Sequence, residues 1–233
     1  MADAPANYTP SFSAGEVETL RGWHEVAYTE LRDAGERHVT YLDLDLVVPG
    51  GVFAPTPMSD LLGRAVLDEV REGGRVLDMG TGSGVNAILA ASRSRDVLGV
   101  DINPGAIAAA IDNAERNGVS ARTTFRVSDL FEAVDGTFDV IVYDPPFRWF
   151  RPRDLCETSI ADENYGSLTR FMKEVSEFLS PGGRVLVFFG TSGDMQYLTT
   201  LIDRAGFNCS TVAERELTRD FVTVTYRTLR LTR

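Results

Sequence analysis

Arg75-Val76-Leu77-Asp78-Met79-Gly80-Thr81-Gly82-Ser83-Gly84 is the stretch on which the fold turns. Residues 75–79 form a short apolar run of strand type, and a helical pattern follows over 84–94. Between them, glycines at three alternate positions let a backbone pass beneath a ligand and take positive φ angles. The helix beyond offers free N–H groups and a partial positive charge. Downstream the rhythm continues: strand 96–101, helix 103–117, strand 121–128 and the very apolar strand Phe138–Asp144. Asn103-Pro104 opens that helix and Gly118 closes it. Helix 167–179, the turn Pro181-Gly182-Gly183, strand 184–190, helix 193–205 and strands 207–216 and 220–231 complete the chain. Strands alternating with helices at this spacing imply parallel βαβ units with right-handed crossovers. The last two strands have no helix between them and must form an antiparallel hairpin, turning near Thr218–Asp220. The expectation is a doubly wound, mostly parallel α/β sheet with an antiparallel C-terminal strand.

Upstream, residues 1–12 read as a flexible tail and Ser13 as the cap of a helix over 14–35. Val17, Leu20, His24, Ala27, Tyr28 and Leu31 fall on one face of that helix. Leu42, Leu44, Leu46 and Val48 alternate with Tyr41, Asp43 and Asp45, the pattern of one half-buried strand ended by Pro49-Gly50-Gly51. Thr56-Pro57 reads as the N-cap and first residue of a helix to about Arg71.

Composition narrows the class. Of 233 residues, 43% are hydrophobic and 24% charged, ordinary usage for a folded domain large enough to need no staple. No apolar run reaches the roughly 20 residues of a membrane helix, and the N-terminus lacks the pattern of a signal peptide, so the expected location is cytoplasmic. Cys156 and Cys209 read as free thiols, and neither they nor His24 and His38 have metal-ligand spacing, so no metal is expected. The net charge of −11 disfavours a nucleic-acid partner, because phosphate backbones are gripped by basic faces.

Two cofactor classes compete for the glycine loop. Gly82-x-Gly84-x-x-Ala87 satisfies the dinucleotide fingerprint, with Asp101 near the offset of a ribose-binding acid. Asp78 argues the other way: a carboxylate there repels a pyrophosphate and attracts the amino and sulfonium charges of S-adenosylmethionine. Asp101, followed by Ile102 at the next strand tip, suits two ribose hydroxyls, although alone it would also serve as a helix cap.

The strand over 138–144 ends in Asp144-Pro145-Pro146-Phe147. Two prolines remove two N–H donors and stiffen the chain, so neighbouring carbonyls can face the crevice. An acid, fixed carbonyls and an aromatic face form a trap for a planar N–H₂ group. Such a nitrogen is a poor nucleophile because its lone pair is delocalised. Acceptors on its hydrogens favour rehybridisation and stabilise the positive charge that develops. The remainder is in-line positioning, with no covalent nucleophile.

The Asp78-x-Gly80-x-Gly82-x-Gly84 loop together with Asp144-Pro145-Pro146-Phe147 resembles class I S-adenosylmethionine-dependent methyltransferases, within the amino-methylating group that carries (Asp/Asn)-Pro-Pro-aromatic. The resemblance spans about residues 46–230 and implies a seven-stranded Rossmann-like sheet. It implies that Asp78, Gly80, Thr81, Gly82, Gly84, Asp101 and Ile102 hold S-adenosyl-L-methionine. It further implies that Asp129 accepts from the adenine amine and that Leu130 flanks the ring; Asp129 would otherwise be only an N-cap. Residues 1–50 are then an N-terminal extension to a catalytic domain over 51–233. Val52-Phe53-Ala54-Pro55-Thr56-Pro57 and Ser128-Asp129-Leu130-Phe131 are similar to segments of the release-factor glutamine methyltransferases. That family usually has Asn-Pro-Pro-Tyr and a separate helical substrate domain, whereas Asp144, Phe147 and a short extension stand here.

The expected function is N-methylation of a planar amide or amine on a small molecule or protein side chain. The alternatives are a base amino-methyltransferase acting on RNA or DNA, and a non-catalytic S-adenosylmethionine-binding subunit. Arg148, Trp149 and Arg151, in a segment rich in arginines and aromatics, are the candidate substrate contacts for an anionic, planar or peptide group; a loop braced by salt bridges is the competing reading. Residues 162–166 are placed as part of a lid over the site.

Overall fold

A computed structural model describes residues 8–233 of the chain. Seven strands form one sheet, in the spatial order 123–127, 96–101, 75–79, 138–143, 179–190, 222–232 and 208–219. Its parallel part comprises β3 (Arg75–Met79), β4 (Asp96–Asp101), β5 (Thr123–Val127), β6 (Phe138–Tyr143) and β7 (Leu179–Gly190). β9 (Val222–Thr232) runs antiparallel to both β7 and β8 (Asn208–Arg219). β3 and β6 are buried on both faces, which is why their sequences are mostly apolar, broken by Asp78 and Asp139, rather than alternating.

Alternate residues of the central strands feed two cores. Val76, Val140, Val142 and Leu186 pack under α2 (Asp60–Glu69), α3 (Val85–Ala91) and α4 (Pro104–Arg116). Leu77, Ile141, Val185 and Val187 pack on the opposite side under α5 (Gly166–Glu174) and α6 (Met195–Ala205), with Leu20 of α1 (Ala14–Asp33). Chain order reverses between β3 and β6, since β3 leads outward to β4 and β5 before the chain returns to β6. The carboxyl ends of these two strands therefore border the crevice where open α/β sheets receive ligands.

The helix expected over 14–35 is α1, with Ser13 and Glu16 in a reciprocal capping box; Leu20, His24, Tyr28 and Leu31 are buried, and Ala27 is exposed. Three expectations are corrected. Tyr8–Phe12 is no tail: the Tyr8 hydroxyl (2.9 Å), the Ser11 N–H (2.9 Å) and the Ser11 hydroxyl (2.8 Å) all donate to the Asp194 carboxylate. Residues 1–7 of that segment lie outside the described residues. The single strand expected over 41–48 is a hairpin of β1 (Arg37–Tyr41) and β2 (Leu44–Val48), turning at Leu42-Asp43 with φ of 44° and 65°. Positive φ at both central residues is the tight hairpin turn, formed here without glycine. Thr56-Pro57 makes a turn rather than opening α2. The Thr56 hydroxyl accepts from the Met58 N–H and the Thr56 carbonyl from the Ser59 N–H, so the helix starts at Asp60.

Buried Asn113 of α4 ties two parts of the structure together. Its side chain exchanges hydrogen bonds with Val47 N–H (2.8 Å) and carbonyl (3.0 Å), and donates to the Ser83 carbonyl of the glycine loop (3.0 Å). The hairpin and the loop are thereby pinned to one amide.

Candidate active site

Two cavities meet at the carboxyl ends of β3 and β6. The first, about 370 Å³, is lined by Gly80, Gly82, Asp101, Ile102, Asp129 and Leu130 among others. The second, about 430 Å³, lies beyond Asp144-Pro145-Pro146-Phe147 and is walled by Phe147, Phe188 and Tyr226. Phe53, Asp144, Pro146 and Ser159 belong to both.

The glycines of the loop divide by role. Gly80 (φ 69°) and Gly82 (φ 55°) have nothing within 4 Å of where a Cβ would sit, so their missing side chains leave room in the first cavity. Gly84 (φ 89°) does not line it. A Cβ there would lie 3.1 Å from Ala110 of α4, so this glycine serves helix packing. Thr81 also faces inward: its hydroxyl donates to Asp78 Oδ2 (2.6 Å), which accepts from the Ala87 N–H as well (3.0 Å). Asp78 is a buried acid beneath the loop, and its Oδ1 takes neither bond. Burial, aided by the nearby Asp101 charge, pushes its carboxyl up to about 7 against these two hydrogen bonds.

Asp101 accepts from the Gly82 N–H at Oδ2 (2.9 Å) and from the Asn103 N–H at Oδ1 (2.8 Å). Burial raises its carboxyl and those backbone bonds oppose the shift. It therefore braces the loop and still presents lone pairs to the cavity; the cap of α4 is Asn103. Ile102 stands 46% exposed at the strand tip, an apolar face without cover. Asp129 caps no helix; its Oδ2 is paired with Arg170 (2.9 Å). Leu130 follows at φ 50°.

Asp144 accepts no hydrogen bond from any described residue. Burial, with the Asp78 charge adding to it, pushes its carboxyl up to about 7. The Phe147 carbonyl is taken by the Tyr165 hydroxyl (2.7 Å), which itself accepts from the Asp194 N–H (2.8 Å). Through Tyr165 the motif is fixed to the N-terminus of α6, where Asp194 also holds Tyr8 and Ser11.

The segment after the motif separates. Arg148 lines the second cavity and donates to the Ser192 carbonyl. Trp149, expected at a substrate, is instead buried. It stacks on Phe12 (5.2 Å, 10°) beside Tyr8, Phe150 and Tyr165, because the chain 8–12 covers it. Arg151 borders the first cavity, not the second, 3.9 Å from Glu163. Residues 162–166 form a fixed wall rather than a lid. Asp162 and Glu163 line the first cavity, Asp162 caps the backbone of Ser167 and Leu168, and Tyr165 is fully buried.

Sequence reasoning overlooked Phe53 and Ser159 between the cavities. Trp23, His24 and Ala27 line the second cavity. His24 Nε2 lies 2.7 Å from Glu157, which also receives Arg153, while Tyr28 donates to Asp154 (2.6 Å). The buried-face periodicity of α1 held the signal for His24. Phe53 sat inside a quoted segment without being assigned.

The strand order, the loop between β3 and α3 and the crevice at β3 and β6 define the fold of S-adenosylmethionine-dependent methyltransferases. The structure of a ribosomal protein L11 methylase from Lactobacillus delbrueckii subsp. bulgaricus shares that fold, with a TM-score of 0.60 at 21% identity over 80% of this chain and 83% of that one. The chain belongs to the methyltransferase small domain family, which it matches over residues 43–217. Among its relatives is a release factor glutamine methyltransferase of Geobacter sulfurreducens, 31% identical over 75% of this chain and 66% of the relative. Another is a ribosomal RNA small subunit methyltransferase C of Alcanivorax borkumensis, 29% identical over 84% of this chain and 54% of the relative. The chain thus spans only about half to two thirds of the length of these two relatives.

Proposed function

We propose that the chain is an S-adenosylmethionine-dependent N-methyltransferase acting on a planar amide or amine nitrogen of a small molecule or protein side chain. One observation carries the reading: Asp144, an acid without a hydrogen-bond partner among the described residues, stands where a cavity with open glycine space meets a cavity with aromatic walls. The first suits the methyl donor. Gly80 and Gly82 leave room for it, Asp101 offers acceptors to ribose hydroxyls, and Ile102 and Leu130 offer apolar faces to the adenine. When bound, S-adenosylmethionine supplies an electrophilic methyl group.

The second cavity receives the acceptor. Phe147 stacks on its planar group. Asp144 accepts one N–H, and a carbonyl of Asp144, Pro145 or Pro146 accepts another, since that of Phe147 is already used. As the nitrogen lone pair enters the new bond, its protons become acidic, and Asp144 can hold or take one. Residues 51–233 carry the reaction, and the preceding extension supplies α1 as cover for the acceptor.

The name of the Geobacter relative supports a protein side-chain amide, and that of the Alcanivorax relative the alternative of RNA. Two of the three arginines at 148–153 are engaged: Arg153 pairs with Glu157 and Glu25, and Arg151 lies near Glu163. Calorimetry with S-adenosylmethionine, S-adenosylhomocysteine and NAD tests the cofactor. Labelled methyl transfer into lysate sorted into protein, nucleic acid and small molecules tests the acceptor. Binding of NAD alone would overturn the reading, as would label only in nucleic acid.

A further inference from the structure

Among the described residues, five buried side-chain nitrogen or oxygen atoms lack a hydrogen-bond partner: Arg37 Nε, Tyr41 Oη, Ser83 Oγ, Arg148 Nε and Thr228 Oγ1. Two are guanidinium nitrogens, and both arginines line the second cavity. Arg37 comes from β1 and Arg148 from the segment after the motif, 111 positions later by the difference of their numbers. Each makes one hydrogen bond, to a backbone carbonyl: Arg37 to Val52 (3.1 Å) and Arg148 to Ser192. Neither lies within ion-pair distance of a carboxylate, whereas Arg153, Arg170, Arg184, Arg215 and Arg230 all do.

A buried cation without a counter-charge is costly. Both side chains are only partly exposed, and two guanidinium groups with buried, unpartnered Nε atoms beside one cavity point to a compensating charge from outside. The fork of a guanidinium matches carboxylate and phosphate oxygens, so the missing partner is an oxyanion. The charged neighbours are consistent with this. The titratable groups around the cavity besides these two arginines are Asp144, His24, Glu30 and Tyr226. His24 is engaged by Glu157, the Glu30 side chain is solvent-exposed, and burial raises the Asp144 carboxyl to about 7, so its negative charge is reduced below that pH.

We infer that the second cavity is a receptor for an oxyanion, with Arg37 and Arg148 as its ligands. Resting on the reading of this cavity as the acceptor site, the methylated compound carries a carboxylate or phosphate beside its planar nitrogen. Burial of the guanidinium lowers the Arg148 pKa, as expected of a cation whose partner is exogenous.

The test uses the protein saturated with S-adenosylhomocysteine and three planar probes: benzoate, phenyl phosphate and benzamide. Calorimetry in low-chloride buffer should show at least one anion binding about tenfold or more tighter than the neutral amide, and the tighter anion identifies the group. Arg37→Ala and Arg148→Ala should each weaken that anion about tenfold or more. Arg→Lys at either position should restore part of the loss. S-adenosylhomocysteine affinity should stay within about twofold in all variants, which separates loss of the site from loss of the fold. Equal binding of amide and anions, no detectable anion binding, or anion preference surviving in the double alanine variant would each overturn the inference. If the anions bind while S-adenosylhomocysteine does not, the methyltransferase reading fails and the oxyanion site stands. If S-adenosylhomocysteine binds and the anions do not, the reverse holds.

Discussion

In the proposed reaction, Asp144 concentrates the chemistry in one carboxyl group. A bond that strengthens as charge grows on nitrogen raises turnover. Asp144→Ala should therefore cut turnover by roughly 10²–10³ with little change in S-adenosylmethionine affinity, read by single-turnover methyl transfer and calorimetry. Asp144→Asn should be milder, because an amide oxygen still accepts. The two differ in pH dependence. Burial and the Asp78 charge raise the wild-type carboxyl from the ordinary aspartate range to about 7, so its ionised acceptor form, and turnover, should grow as pH rises through 7. The Asn profile should be flat there. Linkage gives the matching stability effect. A raised folded-state pKa contributes stability that is full below about 4 and lost as pH rises through about 7. Asp144→Asn should thus raise the melting temperature more at pH 8 than at pH 5. Near-normal turnover of Asp144→Ala would mean the acceptor atom is oxygen or carbon, activated elsewhere. Among the glycines, Gly82→Val should abolish cofactor binding by filling open space, as calorimetry would show. Gly84→Ala should act on stability instead, because its Cβ meets Ala110 and its backbone has φ 89°. Tight binding by Gly82→Val would place the ligand in another cavity.

Elements with regular periodicity could be read from sequence almost to the residue, because local pattern and tertiary role agree there. β3 and β4 coincide with their expected spans, and α4 differs by one residue at each end. Two spans are shifted: α5 ends at Glu174 and not at 179, and β7 begins at Leu179, taking in the expected turn Pro181-Gly182-Gly183. The other misses share one cause, long-range partners. Leu42-Asp43 turns without glycine because Asn113, about seventy positions away, pins the returning strand. Tyr8–Phe12 reads as tail because its stabilising group, Asp194, lies at the other end of the chain. Trp149 looked available only while Phe12 was thought to be elsewhere. At the site, the strand-tip residues were legible, whereas the wall from Phe53 was not. α1 is anchored by Glu157. Burial raises its carboxyl, and the hydrogen bonds from Arg153 and His24 outweigh this and hold it down to about 2. Its stabilising contribution is present above about 4.5 and lost as pH falls through about 2. Removing Arg153 leaves a buried carboxylate with only His24 and backbone support. Because Arg153 itself is half exposed and screened, Arg153→Ala should cost about 1–3 kcal/mol. Hydrogen exchange should show faster opening over residues 14–33 before the sheet is affected. Unchanged exchange there would show that apolar packing alone holds α1.

At the scale of the molecule, charge and shape act together. With a net charge of −11 and its basic segment largely paired, the protein should bind duplex RNA and DNA weakly at physiological salt, as a filter-binding assay can show. Tight binding that falls steeply with salt would restore the base-modifying alternative. The sheet carries the crevice at one end, and helices on both faces make its central strands inaccessible from either side. The two cavities that meet at Asp144 and Pro146 therefore behave as chambers with a common doorway. A molecule long enough to thread that doorway would engage both chambers at once. Tethering an adenosyl group to a carboxylated aromatic ring makes the second engagement intramolecular, so affinities that are modest separately would combine through effective concentration. A linker that is too short to pass Asp144 would forfeit that gain, so a series of linker lengths would measure the thickness of the partition between the chambers.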